Sequence, residues 1–312
     1  MGSKAAMLFP GQGSQFVGMG KNYYDAYPEA REMYKQANAA LGFDIAEMSF
    51  AGDLEELTQT RNAQPAILLH SLAVLMVLDA RGVGASIVAG HSLGEFSALV
   101  AAGFFPPVDA LLAVRRRGEL MYEAGLQNPG TMASILGMDV HDVEACVKEH
   151  QSEGVCVVAN YNSPRQTVIS GEVAAIKHVV EQCREAGARR AMLLTVSGAF
   201  HSPLMDAVVP EFRKYLNKLH HGRLRIPWVT TLTGDVVEDT DQAIDILARQ
   251  LSSPVRWSDA ITKLAEVRRK EEPVYEVGPG KVLSGLTRRV VDGVDVIALS
   301  SAEEFEAATN FS

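Results

Sequence analysis

The first apolar run, Ala5-Ala6-Met7-Leu8-Phe9, is short and uninterrupted and stops at Pro10-Gly11-Gln12-Gly13-Ser14-Gln15. That pattern predicts a buried strand feeding a loop rich in exposed backbone N–H groups, the position at which α/β proteins hold ligands. Helical periodicity follows over 22–41 and over 64–81, the second starting after Gln64-Pro65 with Pro65 in its first turn, where a missing N–H does no harm. A strand near 86–90 runs into Gly90-His91-Ser92-Leu93-Gly94, with a helix over about 93–102 behind it and another over 110–125.

Between 131 and 196 the pattern changes. Met132-Ala133-Ser134-Ile135-Leu136 reads as a strand, followed by a helix at 140–152, strands at 155–161 and 166–170, a helix at 173–187 and a strand at 190–196. That order, β-α-β-β-α-β, is the ferredoxin-like split βαβ arrangement and predicts a small unit inserted into a larger one. The first pattern then resumes, with helices at 203–219, 241–251 and 258–269, a strand near 226–232, and the strand-turn Val274-Tyr275-Glu276-Val277-Gly278-Pro279-Gly280.

Composition narrows the function classes. A chain of 312 residues, 47% hydrophobic and 21% charged, has the means to bury a large core. A net charge of −9 argues against a broad nucleic-acid or anionic-membrane surface. Cys146, Cys156 and Cys183 are odd in number and lack CxxC spacing, so neither a disulfide framework nor a zinc site is expected, and a reducing compartment fits: the cytoplasm, or an organelle stroma or matrix. No apolar run approaches the roughly 18 to 20 residues of a membrane span. The N-terminus has no charged segment leading into an apolar one, and Ala6 stands where an N-myristoylation motif wants Ser or Thr.

The candidate chemistry centres on Ser92. Between two glycines, after a strand and before a helix, it reads either as a nucleophile lifted out of the sheet on a strained turn, with the helix N-terminus behind it, or as a polar cap on a buried helix. A serine hydroxyl needs a base. Of eight histidines, His91 adjoins the serine and points elsewhere, His220 and His221 sit at a helix end, His70 falls mid-helix, and His141, His150 and His178 fall on helices of the inserted unit. His201, on the loop Ser197-Gly198-Ala199-Phe200 before Ser202-Pro203, is either that base or an ordinary loop histidine. On the 110–125 helix, Arg117 lies three residues after Val114 and four before Met121, on the inward arc, while Arg115 and Arg116 point outward. A buried arginine is either half of an internal salt bridge or a fork for a substrate carboxylate.

With Gly11-Gln12-Gly13-Ser14-Gln15, Gly90-His91-Ser92-Leu93-Gly94-Glu95, Arg117-Gly118, Phe200-His201-Ser202 and Val277-Gly278-Pro279-Gly280 in this order, the sequence resembles the malonyl-CoA:acyl carrier protein transacylases of type II fatty-acid synthesis over about residues 5–300. The resemblance implies Ser92 as the acylated nucleophile, His201 as base and acid, and Arg117 as the ligand of the free malonyl carboxylate. It implies Gln12 and Leu93 as backbone N–H donors to the oxyanion, and Gln250 as the carbonyl that orients His201. A third acid sought among Asp109, Asp139 or Asp206 is then misdirected. Phe200 is either a packing aromatic or a wall against a 2-methyl branch; Ala199-Phe200-His201 resembles the malonyl-selecting pattern. Asn160 and Asn162 match a stretch that faces the site.

The resemblance further implies the substrates malonyl-CoA and holo acyl carrier protein, no metal or other cofactor, no nucleic-acid or membrane partner, and a monomer. Arg189-Arg190 and Arg288-Arg289 are candidates for carrier-protein docking. A serine hydrolase would share Ser92 and use water, and a non-catalytic carrier-binding module would have lost it. The expected fold class is α/β: an α/β-hydrolase-like parallel-sheet large domain (1–127 and 197–312) with an inserted ferredoxin-like (βαββαβ) small domain (128–196).

Overall fold

The computed structural model describes residues 3–309; Met1 and Gly2, where the N-terminal reading begins, lie outside them. Its ten strands are β1 (Ser3–Phe9), β2 (Val83–Gly90), β3 (Gly130–Leu136), β4 (Cys156–Ser163), β5 (Gln166–Glu172), β6 (Arg190–Leu193), β7 (Trp228–Val229), β8 (Val236–Val237), β9 (Val274–Glu276) and β10 (Val296–Ala298). Six form one sheet in the order β10-β9-β1-β2-β7-β8, parallel except for the β7/β8 hairpin. The central strands are apolar on both faces, as a parallel sheet between helices requires. Met7, Phe9 and Val88 belong to the core built with helix Thr60–Ala80, whereas Ala6, Leu8 and Ala89 join Trp257, Ile261 and Leu283 on the other side.

The remaining four strands form an antiparallel sheet in the order β4-β5-β3-β6. Helices Val140–His150 and Val173–Glu185 cover one face over a core of their own, which holds all three cysteines, buried and free. The chain order β3, helix, β4, β5, helix, β6 is the one expected. This unit is joined to the larger one through backbone: Tyr161 N–H donates to Val255 O (2.9 Å) and Val255 N–H to Ala159 O (2.8 Å).

Several boundaries differ from expectation for local reasons. The 22–41 segment is two helices, Lys21–Ala26 and Pro28–Leu41, because Pro28 holds Tyr27 extended (φ −123°, ψ 125°). The next long helix begins at Thr60, so Pro65 lies inside it. Proline removes the donor that would meet Arg61 O, and Arg115 Nη1 donates to that carbonyl instead (2.9 Å). Arg115 is therefore not simply outward-pointing. Within this 21-residue helix an 18-residue stretch is also long and apolar enough to span a membrane, with mean hydropathy 1.6, contrary to the expectation that no run approached that length; 83% of that stretch is buried inside the protein.

The 203–219 segment opens as a 3-10 helix, Pro203–Val208, and turns α-helical at Val209–Leu216, since Pro210 cannot supply an earlier α-type bond. The 226–232 strand shrinks to Trp228–Val229: Thr231 N–H, which would extend the ladder, is taken by the Glu95 carboxylate. The sixth strand ends at Leu193 rather than 196.

Candidate active site

Ser92 (φ 53°) and His201 (φ 57°) are the only non-glycine residues with positive φ among the described residues. The first lies where β2 hands over to helix Gly94–Ala101. Glycine is needed on both sides. A Cβ on Gly90 would run into the backbone of Gly94 and Glu95, and one on Gly94 into Phe9 O. His91 N–H to Phe9 O (2.9 Å), Gly94 N–H to His91 O (3.0 Å) and Glu95 N–H to Ser92 O (3.1 Å) close the turn. His201 is fixed in its own unusual conformation by its N–H donating to Leu251 O (3.0 Å) and by Ser202, whose hydroxyl donates to Ala199 O (2.7 Å).

The two meet: Ser92 Oγ lies 2.8 Å from His201 Nε2. His201 Nδ1 donates to Gln250 O (2.8 Å) and Ser253 O (3.2 Å), which leaves Nε2 as the acceptor for the serine proton. Two carbonyls thus occupy the place an aspartate takes in a Ser-His-Asp triad. Asp109 and Asp139 instead accept from the backbone of His220 and His141, and Asp206 lies in the Pro203–Val208 turn.

Arg117 is 1% exposed. Nη1 donates to Gln64 Oε1 (2.9 Å), Nη2 to Gln250 Oε1 (3.0 Å) and to Ser92 Oγ (3.1 Å), while Nε has no partner. These partners are neutral, so the internal salt bridge is not what holds it. Burial lowers its pKa to about 10, with Glu95 opposing, and leaves it cationic at neutral pH. A buried guanidinium on amide oxygens, with an N–H to spare, suits an incoming carboxylate.

These groups line a cavity of about 310 Å³. Its wall includes Gln12, Phe200, Asn160, Asn162, Met121 and Met132, so of the expected site residues only Leu93 and Gln250 are absent from the lining. Leu93 directly follows Ser92 and caps the helix behind it, its side chain buried; Gln250 stands behind Arg117 and His201. Among the described residues, the amide N–H groups of Gln12 and Leu93 meet no internal acceptor. Gln12 Nε2 donates to Thr60 Oγ1 (3.2 Å), which anchors the loop after β1. His91 turns away from Ser92, as expected, and donates from Nε2 to Asn162 Oδ1 (2.8 Å).

Burial and then Arg117 hold His201 down at about 3, so its imidazole is a neutral base at neutral pH. Glu95, fully buried, accepts from Thr231 N–H and Thr231 Oγ1 (both 2.5 Å) and from Thr230 Oγ1 (3.1 Å); burial outweighs these bonds and raises its pKa to about 7. Sequence reasoning missed Gln64, the side chain of Gln250, the Ser253 carbonyl and Glu95. Gln64 gave little signal: it follows Thr60, Arg61 and Asn62 in the polar first turn and a half of its helix, and only its complete burial sets it apart.

The acyl transferase domain family model matches residues 6–300. The malonyl CoA-acyl carrier protein transacylase of Bacillus subtilis is 42% identical over 307 residues, 98% of this chain and 96% of its own. Among solved structures, an acyl carrier protein S-malonyltransferase from Vibrio cholerae aligns with a TM-score of 0.91 at 36% identity, covering 97% of this chain and 99% of that one. A malonyl-transacylase solved in complex with its holo type II PKS acyl-carrier protein gives 0.93 at 35% identity, covering 98% of each chain. A shared fold over nearly the full length of both chains, and a serine bonded to both a histidine and an arginine, converge on one conclusion: the chain belongs to the acyl transferase family, among the malonyl CoA-acyl carrier protein transacylases.

Proposed function

We propose that the protein transfers the malonyl group of malonyl-CoA to the phosphopantetheine thiol of acyl carrier protein through a malonyl-serine intermediate, supplying extender units for fatty-acid synthesis. The observation that carries this is Arg117 Nη2 lying 3.1 Å from Ser92 Oγ, with His201 Nε2 2.8 Å away on the same oxygen. A nucleophile shared between a base and a buried cation suits an acyl donor that ends in a carboxylate.

The malonyl carboxylate binds Arg117, and the thioester carbonyl oxygen lies against the Gln12 and Leu93 N–H groups. His201 takes the Ser92 proton as Oγ bonds to the carbonyl carbon. The tetrahedral intermediate collapses, the C–S bond breaks, and His201 passes its proton to the departing coenzyme A thiolate. The carrier thiol then repeats the sequence in reverse and leaves Ser92 free. Ser92 Oγ gives up its bond to Arg117 as the substrate carboxylate arrives, so the same cation serves the empty and the loaded site. Phe200 is the wall against a branched acyl group, a discrimination of about 1 to 3 kcal/mol per methylene. No metal or redox cofactor takes part.

The finer organisation belongs to the same reading: an α/β-hydrolase-like catalytic domain (1–127 and 197–312) and a ferredoxin-like small domain (128–196), acting as a monomer in the cytoplasm or an organelle stroma or matrix. The acidic carrier protein docks near Arg189 and Arg289, which line one surface depression together with Arg165. The test is an initial-rate grid varying malonyl-CoA and holo carrier protein. Parallel double-reciprocal lines and exchange of labelled coenzyme A into malonyl-CoA without carrier protein are expected. Intersecting lines with no exchange contradict the acyl-serine route.

A further inference from the structure

The small unit carries a cluster that the transfer reaction does not use. His150 ends helix Val140–His150, Glu153 closes the 3-10 turn Gln151–Glu153, and His178 lies on helix Val173–Glu185. The two imidazoles hold the two oxygens of one carboxylate: His150 Nδ1 is 2.9 Å from Glu153 Oε1, and His178 Nδ1 is 2.6 Å from Glu153 Oε2. The three ligand atoms lie within 4.8 Å of one another.

We infer that this cluster is a site for a late first-row divalent cation of the zinc class, bound through both Nδ1 atoms and the Glu153 carboxylate. Imidazole nitrogen is the preferred donor for such ions, and two imidazoles with one carboxylate leave a fourth tetrahedral position for water. At metal–ligand distances of about 2.0 to 2.2 Å, tetrahedral edges are about 3.3 to 3.5 Å. The observed N–O separations need to open by less than about 1 Å to admit the ion. Both histidines shift their remaining proton to Nε2, which needs no other proton to move.

The turn that presents Glu153 is preset. Gly154 adopts φ 149°, ψ −177°, and a Cβ there would stand 2.8 Å from the carboxylate of Glu172, which accepts Val155 N–H. His178 and Glu153 are solvent-accessible, with 61% and 42% of their side chains exposed, so the ion has an entry path. Because the ligands come from both helices, the ion ties together the layer over one face of the small sheet. The cavity lies on the other face: Met132 and Val168 line it, while their neighbours Ala133 and Ile169 pack beneath the helices.

The test is a titration of the full chain with Zn²⁺ against a chromophoric chelator at neutral pH, with His178→Ala, Glu153→Gln and the control His141→Ala. His141, on the helix that ends at His150, is more exposed than either ligand histidine and is paired with Glu144. One equivalent should bind, at least about tenfold more weakly in His178→Ala and Glu153→Gln, unchanged in His141→Ala, and not displaced by an equal concentration of Mg²⁺. Zn²⁺ should also raise the midpoint of thermal unfolding in the parent and not in His178→Ala, with transfer activity without metal the same in all. Absence of binding, equal affinity in His178→Ala, equal loss in His141→Ala, or displacement by Mg²⁺ would overturn the inference.

Discussion

Ser92 and His201 both sit in the left-handed region at φ 53° and 57°, a strain of roughly 1 to 3 kcal/mol apiece that the surrounding turns must offset. This gives a prediction in which stability and activity part company. Ser92→Gly and Ser92→Ala should both be inactive, but the glycine variant should be the more stable by about 1 kcal/mol, since only it relieves the strain; equal urea midpoints would contradict the account. Arg117→Lys keeps the charge and loses the fork, so malonyl transfer should fall roughly 10- to 100-fold, the loss of one charge-assisted hydrogen bond. A KM and kcat indistinguishable from the parent would count against the carboxylate contact. The three central side chains were legible because each breaks a pattern: a serine between glycines, a histidine on a small-residue loop, an arginine on an apolar arc. Gln250 was legible only as a carbonyl. Its side chain contacts Arg117 and Ser92 O across long sequence separations, for which local spacing holds no trace.

One helix pair does much of the positioning. Thr60–Ala80 carries Gln64 and Pro107–Gln127 carries Arg117, and Gly118 lets them approach; a Cβ there would stand 2.8 Å from Arg61 Cα and from Thr60 O. Gly118→Ala should therefore destabilise by about 1 to 3 kcal/mol through overpacking and weaken malonyl-CoA binding, as Arg117 is displaced with it. Arg115→Ala leaves the carbonyl opposite Pro65 without its donor and should cost about 1 to 3 kcal/mol. Arg116→Ala removes half-exposed ion pairs with Glu119 and Glu211 and should cost at most about 1 kcal/mol. Equal denaturation midpoints for the two variants would contradict this role for Arg115. The proline reading shows why the boundary was missed: Pro65 alone signals a first turn, and only a partner 50 residues away makes an interior proline tolerable.

Across the whole molecule, what the sequence made plain was local order. The inserted unit was readable from six consecutive elements, whereas β1 pairs with β2 some way along the chain and with β9 near its far end, Ala6 lying opposite Val274, and local spacing holds no trace of either pairing or of the three-residue edge strand β10. The core also contains an acid-sensitive group outside the cavity lining. His70 is fully buried with no charged partner, and burial, opposed only by the Ser300 backbone, lowers its pKa from 6.5 to about 3. Below about pH 6.5 the unfolded chain takes up a proton there that the folded chain refuses, so this residue's contribution to stability falls as pH falls towards 3. His70→Leu should gain on the parent by up to about 1.4 kcal/mol per pH unit over that window; a gap that stays constant with pH in urea titrations would refute the assignment.

The central claim, that Ser92 is acylated by a donor held on Arg117, is tested most directly by the intact mass of the protein after brief mixing with malonyl-CoA. The account predicts a single malonyl adduct on the parent, none on Ser92→Ala, a much reduced one on Arg117→Ala, and discharge of the adduct by holo acyl carrier protein. An adduct that survives Ser92→Ala, or free malonate released with no adduct at any time, would contradict it.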